Sequence, residues 1–455
     1  AVKTRQQVAA AGGEVTVDFY LINEKNVRGN HQLKISVTDS QGKVMEVGTY
    51  ETEAAGGEVY GQLLVKDVKI PVPTAGGLCR IEAKLCKENS VVTTGYDDIL
   101  SVNLASNMLD GKGAVWEDGS ALQNFLKGKT KEAVAAYEDN LGKLDWIMVA
   151  RPPRKDQLTM VPMEALRSAD GKPGLDVVYY EDMEFQKEVY HEVAKVVNLS
   201  AIEGATPSPF VYMLDGYGIK WSGKVLPSVS GEYTIIPQSN DRSMIEVFVN
   251  GKKIYEITRK KKHLGDGKVY LEGGKSADIE IRFRHPRSNA RCRLDWAVPN
   301  DKMPDAQRLM ERAVNDGTKI FIIQSADEWS EFIAVNSKAV FKDKFFVGTN
   351  WLGGVMFNKP HDIFKELPVG NALNWPYQAL IHTGVERMGL VMEGEELLVG
   401  AYHTYPMAIG TAMGIVPMGK GSVLFSTLDI YGNIINDSAA GLVAKKLIFN
   451  MIDFK

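Results

Sequence analysis

The sequence predicts a multidomain chain of class β plus α/β, in which a first β-sandwich is followed by an α/β domain that a second β-sandwich interrupts. Three observations predict it. Apolar residues alternate with period two over residues 1–105, strand-helix-strand text with unbroken apolar strands occupies 106–164 and returns at 301–455, and turn-punctuated β text fills 165–300. A chain of 455 residues also exceeds the size at which one core stops growing, about 250 to 300 residues.

In the first segment Val15, Val17, Phe19 and Leu21 share one face of a strand. Leu33, Ile35 and Val37 share a face of the next, and Cys79, Ile81, Ala83 and Leu85 point inward from a later one. Asp39-Ser40-Gln41-Gly42 supplies a turn between strands. Strands of this length and spacing suit an immunoglobulin-like sandwich. Asn23-Glu24, which looks like an acid/base doublet in isolation, falls at a strand end and reads as a turn. Cys79 and Cys86 lie on one strand and on opposite faces, so no disulfide joins them.

The periodicity changes after Asn103. Gly113 to Trp116 is a short apolar strand, Ser120 to Leu126 has helical spacing with Ser120 as its expected cap, and Leu144 to Ala150 is a buried strand. The pattern stops at Arg151-Pro152-Pro153 and resumes with an amphipathic helix from Pro304 to Val314, closed by Asn315-Asp316-Gly317. Lys319 to Ile323 then reads as a strand buried on both faces. Later strands are expected at Leu397 to Tyr402 and Val423 to Thr427, before a helix that Asp437 caps and that presents Val443, Leu447 and Met451 on one face. An insertion between the two halves is economical, because inserted modules enter at exposed loops through termini that lie close together.

In the interval, Gly216 to Gly223 carries Trp221 into a Gly turn, and the Pro- and Gly-marked corner Pro227 to Gly231 leads to a strand ending at Ser239-Asn240-Asp241. Ile245 to Val249 followed by Asn250-Gly251 is a strong hairpin signal.

Composition excludes several functions. A net charge of -4 gives no basic field for a phosphate backbone, so nucleic acid is not an expected partner, and the basic run Arg259 to His263 reads as a solvated loop. No run of about 18 apolar residues is present to span a membrane. A barrel glycosidase needs about 250 residues of continuous βα repeats, more than the interrupted α/β text supplies. No cysteine follows an α/β strand, and Gly-x-Ser-x-Gly is missing; Gly419-Lys420-Gly421-Ser422 precedes its strand and reads as a hairpin turn. His361, His382 and His403 are scattered without metal-ligand spacing. His403 ends a strand, where α/β sheets place ligands, so an alternative pocket would gather His403 and Tyr405 with Trp375.

Several stretches resemble known families. Tyr179-Tyr180, the Trp221 turn, Ser230-Gly231-Glu232-Tyr233, Asn240-Asp241, Val249 to Lys252 and Leu294-Asp295-Trp296 together resemble the protective-antigen domain, a β-sandwich of adhesins, toxins and glycosidases. Val17 to Glu24, with Gly29 and the strand Leu33 to Val37, resembles the immunoglobulin-like domain that follows the barrel of family 2 glycoside hydrolases. Asn358 to Pro368 and Gly419 to Phe425 look like the amidotransferase-like (flavodoxin-like) accessory domain of some such enzymes. The combination implies the non-catalytic C-terminal region of a bacterial, periplasmic or secreted glycosidase of the β-galactosidase type, with an upstream catalytic domain and a glycan or oligosaccharide as partners. It implies no catalytic residue in this chain. The alternatives are an independent hydrolase using the α/β domain, and a purely structural spacer or oligomer contact.

Lectin-like members of the protective-antigen family hold calcium with a cis Asp-Asp step, and the calcium grips sugar hydroxyls. The matching step here is Asn240-Asp241, one carboxylate short. The resemblance therefore implies a sugar site of Trp221, Asn240, Asp241 and Asn289, with Asn240 and Asp241 as the calcium ligands.

Overall fold

The computed structural model describes all residues except 89, 105–107, 155–157, 202–215, 240–241, 259, 261, 287–289, 300–303, 348–353, 383–387, 405–406, 436–438 and 455. It is mostly β-sheet and divides into two compact units.

The first unit joins Ala1–Leu109 with Asn358–Ala379 and Asn436–Lys455. A three-stranded sheet (Val2–Thr4, Glu14–Ile22, Gly61–Pro71) and a five-stranded sheet share one core. The five run in the order Val8–Ala10, Ser90–Val102, Gly77–Lys87, Arg28–Thr38, Val44–Ala55. The alternation predicted for Val15 to Leu21, Leu33 to Val37 and Cys79 to Leu85 is the burial observed. Asn23 forms the expected turn, its amide oxygen accepting from the Val27 N–H at 2.8 Å. All three cysteines are free.

The C-terminal helix Ala439–Asp453 also belongs to this unit, so 301–455 is not one continuous domain half. Val443, Leu447 and Met451 are buried as their spacing requires. Anchors fix the helix: Lys446 is 5% exposed and donates to Glu366 at 2.6 Å, and Asn450 donates to the carbonyls of Ile363 and Lys365. Asp437, its expected cap, lies outside the described residues.

The second unit comprises Asp110–Phe357 and Leu380–Ile435. Its ten-stranded sheet has a parallel part made of β1 (Gly113–Glu117), β2 (Ala135–Ala136), β3 (Trp146–Ala150), β4 (Lys319–Ile322) and β5 (Gly421–Ser426). These stand in the order β2-β1-β3-β4-β5, and antiparallel strands extend the β5 side. Helix α1 (Ala121–Leu126) follows β1, α2 (Ala306–Asp316) precedes β4, and α3 (Ala326–Val335) follows it. Asp305 caps α2 through the N–H groups of Gln307 and Arg308, and Gly317 closes it at φ 80°. Gly419-Lys420 is the tight hairpin expected, with Met418 opposite Gly421.

Between β3 and α2 sits a second sandwich. One sheet contains Leu175–Tyr180, Tyr217–Val225, Ala277–His285, Met244–Val249 and Lys252–Ile257; the other contains Gly231–Ser239, Lys268–Leu271 and Ala290–Ala297. Asn250 and Gly251 turn the predicted hairpin at φ 47° and 75°, with Val249 opposite Lys252. Thr159–Met160 pairs with Ala290–Ala297, so the sandwich begins slightly before the boundary expected at 165. Among the described residues no helix is long and apolar enough to cross a membrane.

Candidate functional site

Two regions of the second unit concentrate polar groups, and the first is the loop end of the inserted sandwich. Gly231–Ser239 and Ala290–Ala297 pair antiparallel with Ser239 opposite Cys292, while Met244 stands opposite Arg284 on the other sheet. The register thus brings the stems of the 240–243 and 286–289 loops to one end of the sandwich. Ser243 Oγ and His285 Nδ1, both buried and 3.2 Å apart, tie these stems together. Asn240, Asp241 and Asn289 themselves lie outside the described residues.

Trp221, by contrast, is 3% exposed and packs edge-on against Phe283 with ring centroids 6.3 Å apart. This places it in the core of the sandwich, beside Val177 and Ile281, its cross-strand partners, rather than on a sugar-facing surface.

The second region lies at the carboxyl ends of the parallel strands. From β1 the chain goes to β2 on one side, then returns to β3, β4 and β5 on the other, so strand order reverses between β1 and β3. In open α/β sheets ligands enter outside the strand ends at such a reversal. Here the ends of β1 and β3 border a cleft of about 650 Å³, whose walls include Glu117, Asp118 and Arg151 as well as Ser228, Val229 and Val298 of the inserted sandwich. The close seating of β1 on β3 requires Gly113, because a methyl group there would collide with the Trp146 ring.

Contacts of Glu117, Asp118 and Arg151 order this part of the lining. Glu117 caps α1, accepting from the N–H groups of Leu122 at 3.1 Å and Gln123 at 2.9 Å, whereas Ser120, the expected cap, makes no capping bond. The Tyr431 hydroxyl donates to the same carboxyl at 2.8 Å. Asp118 pairs with the Arg151 guanidinium and accepts from the Thr159 hydroxyl. Arg151 is 6% exposed; its carbonyl accepts from the Trp329 indole at 2.7 Å, and its guanidinium stands 5.6 Å from the Trp116 ring.

Burial pushes the Glu117 carboxyl above its ordinary range, against the lowering effect of its three hydrogen-bond donors. Burial also lowers the Arg151 guanidinium, which Asp118 opposes, and raises the Tyr431 phenol. For Glu117 the raised value means that the folded chain holds a proton which the unfolded chain releases near pH 4.5. Stability should therefore fall as pH rises from that value through the shifted one, with the full penalty present above it. Glu117→Gln removes the titration and keeps a carbonyl oxygen for one of the two helix N–H groups. Urea unfolding across this pH range should show a flatter profile for the variant.

A further feature carries no sequence motif. Ser325, between β4 and α3, has φ 54° and ψ 36°, the strained strand-to-helix elbow that presents nucleophiles in α/β enzymes. The signal missed was positional, since Ile323-Gln324-Ser325-Ala326 has no glycine on either side of the serine. A small cavity of about 30 Å³ adjoins it, lined by Asn198, Gln324, Thr427 and Asp429 among others, with no histidine or cysteine. An activated serine requires an adjacent base. The cavity offers no imidazole and has room for water alone.

His403, the centre of the alternative pocket, belongs to the second unit. That residue is half-buried on the antiparallel strand Glu396–Thr404, opposite Ala408, and does not line the cleft. Tyr405 lies outside the described residues, and Trp375 belongs to the first unit, in the turn Trp375–Tyr377. His361 caps a turn, its Nδ1 accepting from the Ile363 N–H at 3.2 Å. Among the described residues no three His, Cys, Asp or Glu side chains gather as a metal site.

Comparison with known proteins identifies the inserted sandwich, since a PA14 domain family model matches residues 171–308. The chain contains a PA14 domain. The anti-sigma-I factor RsgI3 of Acetivibrio thermocellus is 26% identical over 125 residues, which cover 27% of this chain and 19% of that protein. A β-glucosidase from Kluyveromyces marxianus superimposes with a TM-score of 0.34 at 12% identity, covering 50% of this chain and 30% of that one. The PA14 sugar-binding domain from an RTX adhesin does so with a TM-score of 0.23 at 14% identity, covering 27% of this chain and 88% of that one. The chain therefore spans only a minor part of the curated relative's length.

Proposed function

We propose that this chain is an accessory carbohydrate-binding and scaffolding region of a glycoside hydrolase that acts on a poly- or oligosaccharide, and that it is not itself catalytic. The observation that carries the reading is the loop end of the PA14 domain, where strand register gathers the stems of the 240–243 and 286–289 loops. Those loops hold Asn240, Asp241 and Asn289, whose side-chain oxygens suit sugar hydroxyls directly or through calcium, a cation that takes six to eight oxygen ligands. The family 2 reading of the first sandwich and the amidotransferase-like reading of the parallel sheet belong to the same proposal. So do a catalytic domain in the same polypeptide and a periplasmic or extracellular site of action.

A glycan array probed with the chain in calcium and in EDTA tests this reading. Retention of at least one glycan, weakened in Asp241→Ala, is the expected result. An array with no retained glycan in either buffer removes the binding function.

A further inference from the structure

The PA14 domain reaches two places at once. Gly231–Ser239 and Ala290–Ala297 run side by side, with Ser239 opposite Cys292 at one end of this pair. Ser228, Val229 and Val298 leave the other end, and these three residues wall the strand-end cleft. A nine-residue strand separates the two ends, about 26 Å at 3.3 Å per residue.

We propose that the strand-end cleft is a second binding site, for a saccharide unit, formed jointly by the parallel sheet and the PA14 domain. Its volume of about 650 Å³ lies within the usual range for small-molecule sites, about 300 to 1,000 Å³. Its chemistry narrows the ligand. Glu117, Asp118, Glu138 and Asp139 line it against one guanidinium, that of Arg151, which Asp118 already engages. Phosphates and other anions, the usual ligands of a strand-order reversal, meet repulsion there. Glu117, Asp118 and Asp139 already accept from Leu122, Gln123, Tyr431, Arg151, Thr159 and Asp305, so the exposed Glu138 carboxylate is the acceptor that a ligand's donors would meet. The lining also offers apolar carbon, at Val229, which is 41% exposed, and at Val298 and Pro304. A pyranose meets both demands, with hydroxyls that donate to carboxylates and a C–H face that lies on apolar carbon. An organic amine would satisfy the carboxylate but not the apolar carbon, and among the described residues no three His, Cys, Asp or Glu side chains gather to hold a bare metal ion.

This site is independent of the loop end, and its test keeps the two apart. The full chain carrying Asp241→Ala is applied to the glycan array, alone and with Val229→Arg or Glu138→Gln added; both cleft residues are exposed. Binding that persists in Asp241→Ala, falls about tenfold or more with Glu138→Gln and disappears with Val229→Arg is expected. Val229→Arg with Asp241 intact should leave loop-end retention unchanged. Spermidine at millimolar concentration provides the amine control. The cleft proposal is overturned if Asp241→Ala retains no glycan, if Val229→Arg leaves its retention unaltered, or if spermidine binds the cleft where glycans do not. None of these outcomes bears on glycans retained through the loop end.

Discussion

Trp221→Ala is expected to unfold the PA14 domain, lowering its stability by about 3 to 5 kcal/mol, the cost of truncating a large buried aromatic side chain. The indole is 3% exposed and bears on Phe283, in a core shared with Val177, Ile281, Tyr233 and Trp296. Alanine would leave a cavity in a sandwich whose Trp221 strand is hydrogen-bonded along both edges, so little collapse can fill it. A role in sugar contact predicts the reverse pattern, lost binding at unchanged stability. Urea unfolding followed by tryptophan fluorescence and glycan retention of the same preparation separate the two. We expect the unfolding midpoint to fall in parallel with binding, and Trp221→Phe to restore most of both. Binding lost at an unaltered midpoint would show that the core assignment is mistaken.

Arg151→Met is expected to cost about as much, about 3 to 5 kcal/mol, for an electrostatic reason. Arg151 is buried and paired with Asp118, and removing the cation strands a carboxylate that is only 13% exposed. The Thr159 hydroxyl remains as a donor but carries no charge. The double variant Asp118→Asn/Arg151→Met should regain much of the loss, because no uncompensated charge then remains. A double-mutant cycle read by chemical denaturation measures this coupling. Additive losses in the double variant would contradict it.

Much of the fold was legible because the relevant signals are local. Alternation over Val15 to Leu21 depends on neighbouring positions alone, and Asn250-Gly251 encodes its own turn through positive φ. The interruption of the parallel sheet was legible for a similar reason, since the apolar strands at 146–150 and 319–322 sit on either side of turn-rich text and pair with each other. Partner choice was not legible. The apolar face of Ala439–Asp453 announces burial but does not say which surface covers it, and the helix joins the first unit instead of the parallel sheet.

The candidate sites divide in the same way. Asn240, Asp241 and Asn289 were grouped through the protective-antigen resemblance, and all three lie outside the described residues. Trp221 stood out by its turn-bounded position, yet aromatic side chains on such strands serve the core as readily as a ligand. Glu117 displaced Ser120 as the α1 cap because a carboxylate at the strand end reaches two N–H groups, a contact across a turn that propensity at Ser120 does not register. The cleft is built from short segments around 117, 138, 151, 229 and 298, too scattered for any spacing rule.

The central claim is that this chain holds a glycan without cleaving it. Frontal affinity chromatography over the immobilised full chain, with the eluted sugar analysed for new reducing ends, tests both halves together. The account predicts that an array-selected oligosaccharide is retarded, that Asp241→Ala reduces the retardation, and that the sugar emerges intact. An oligosaccharide that passes unretarded, or that emerges cleaved, would contradict it.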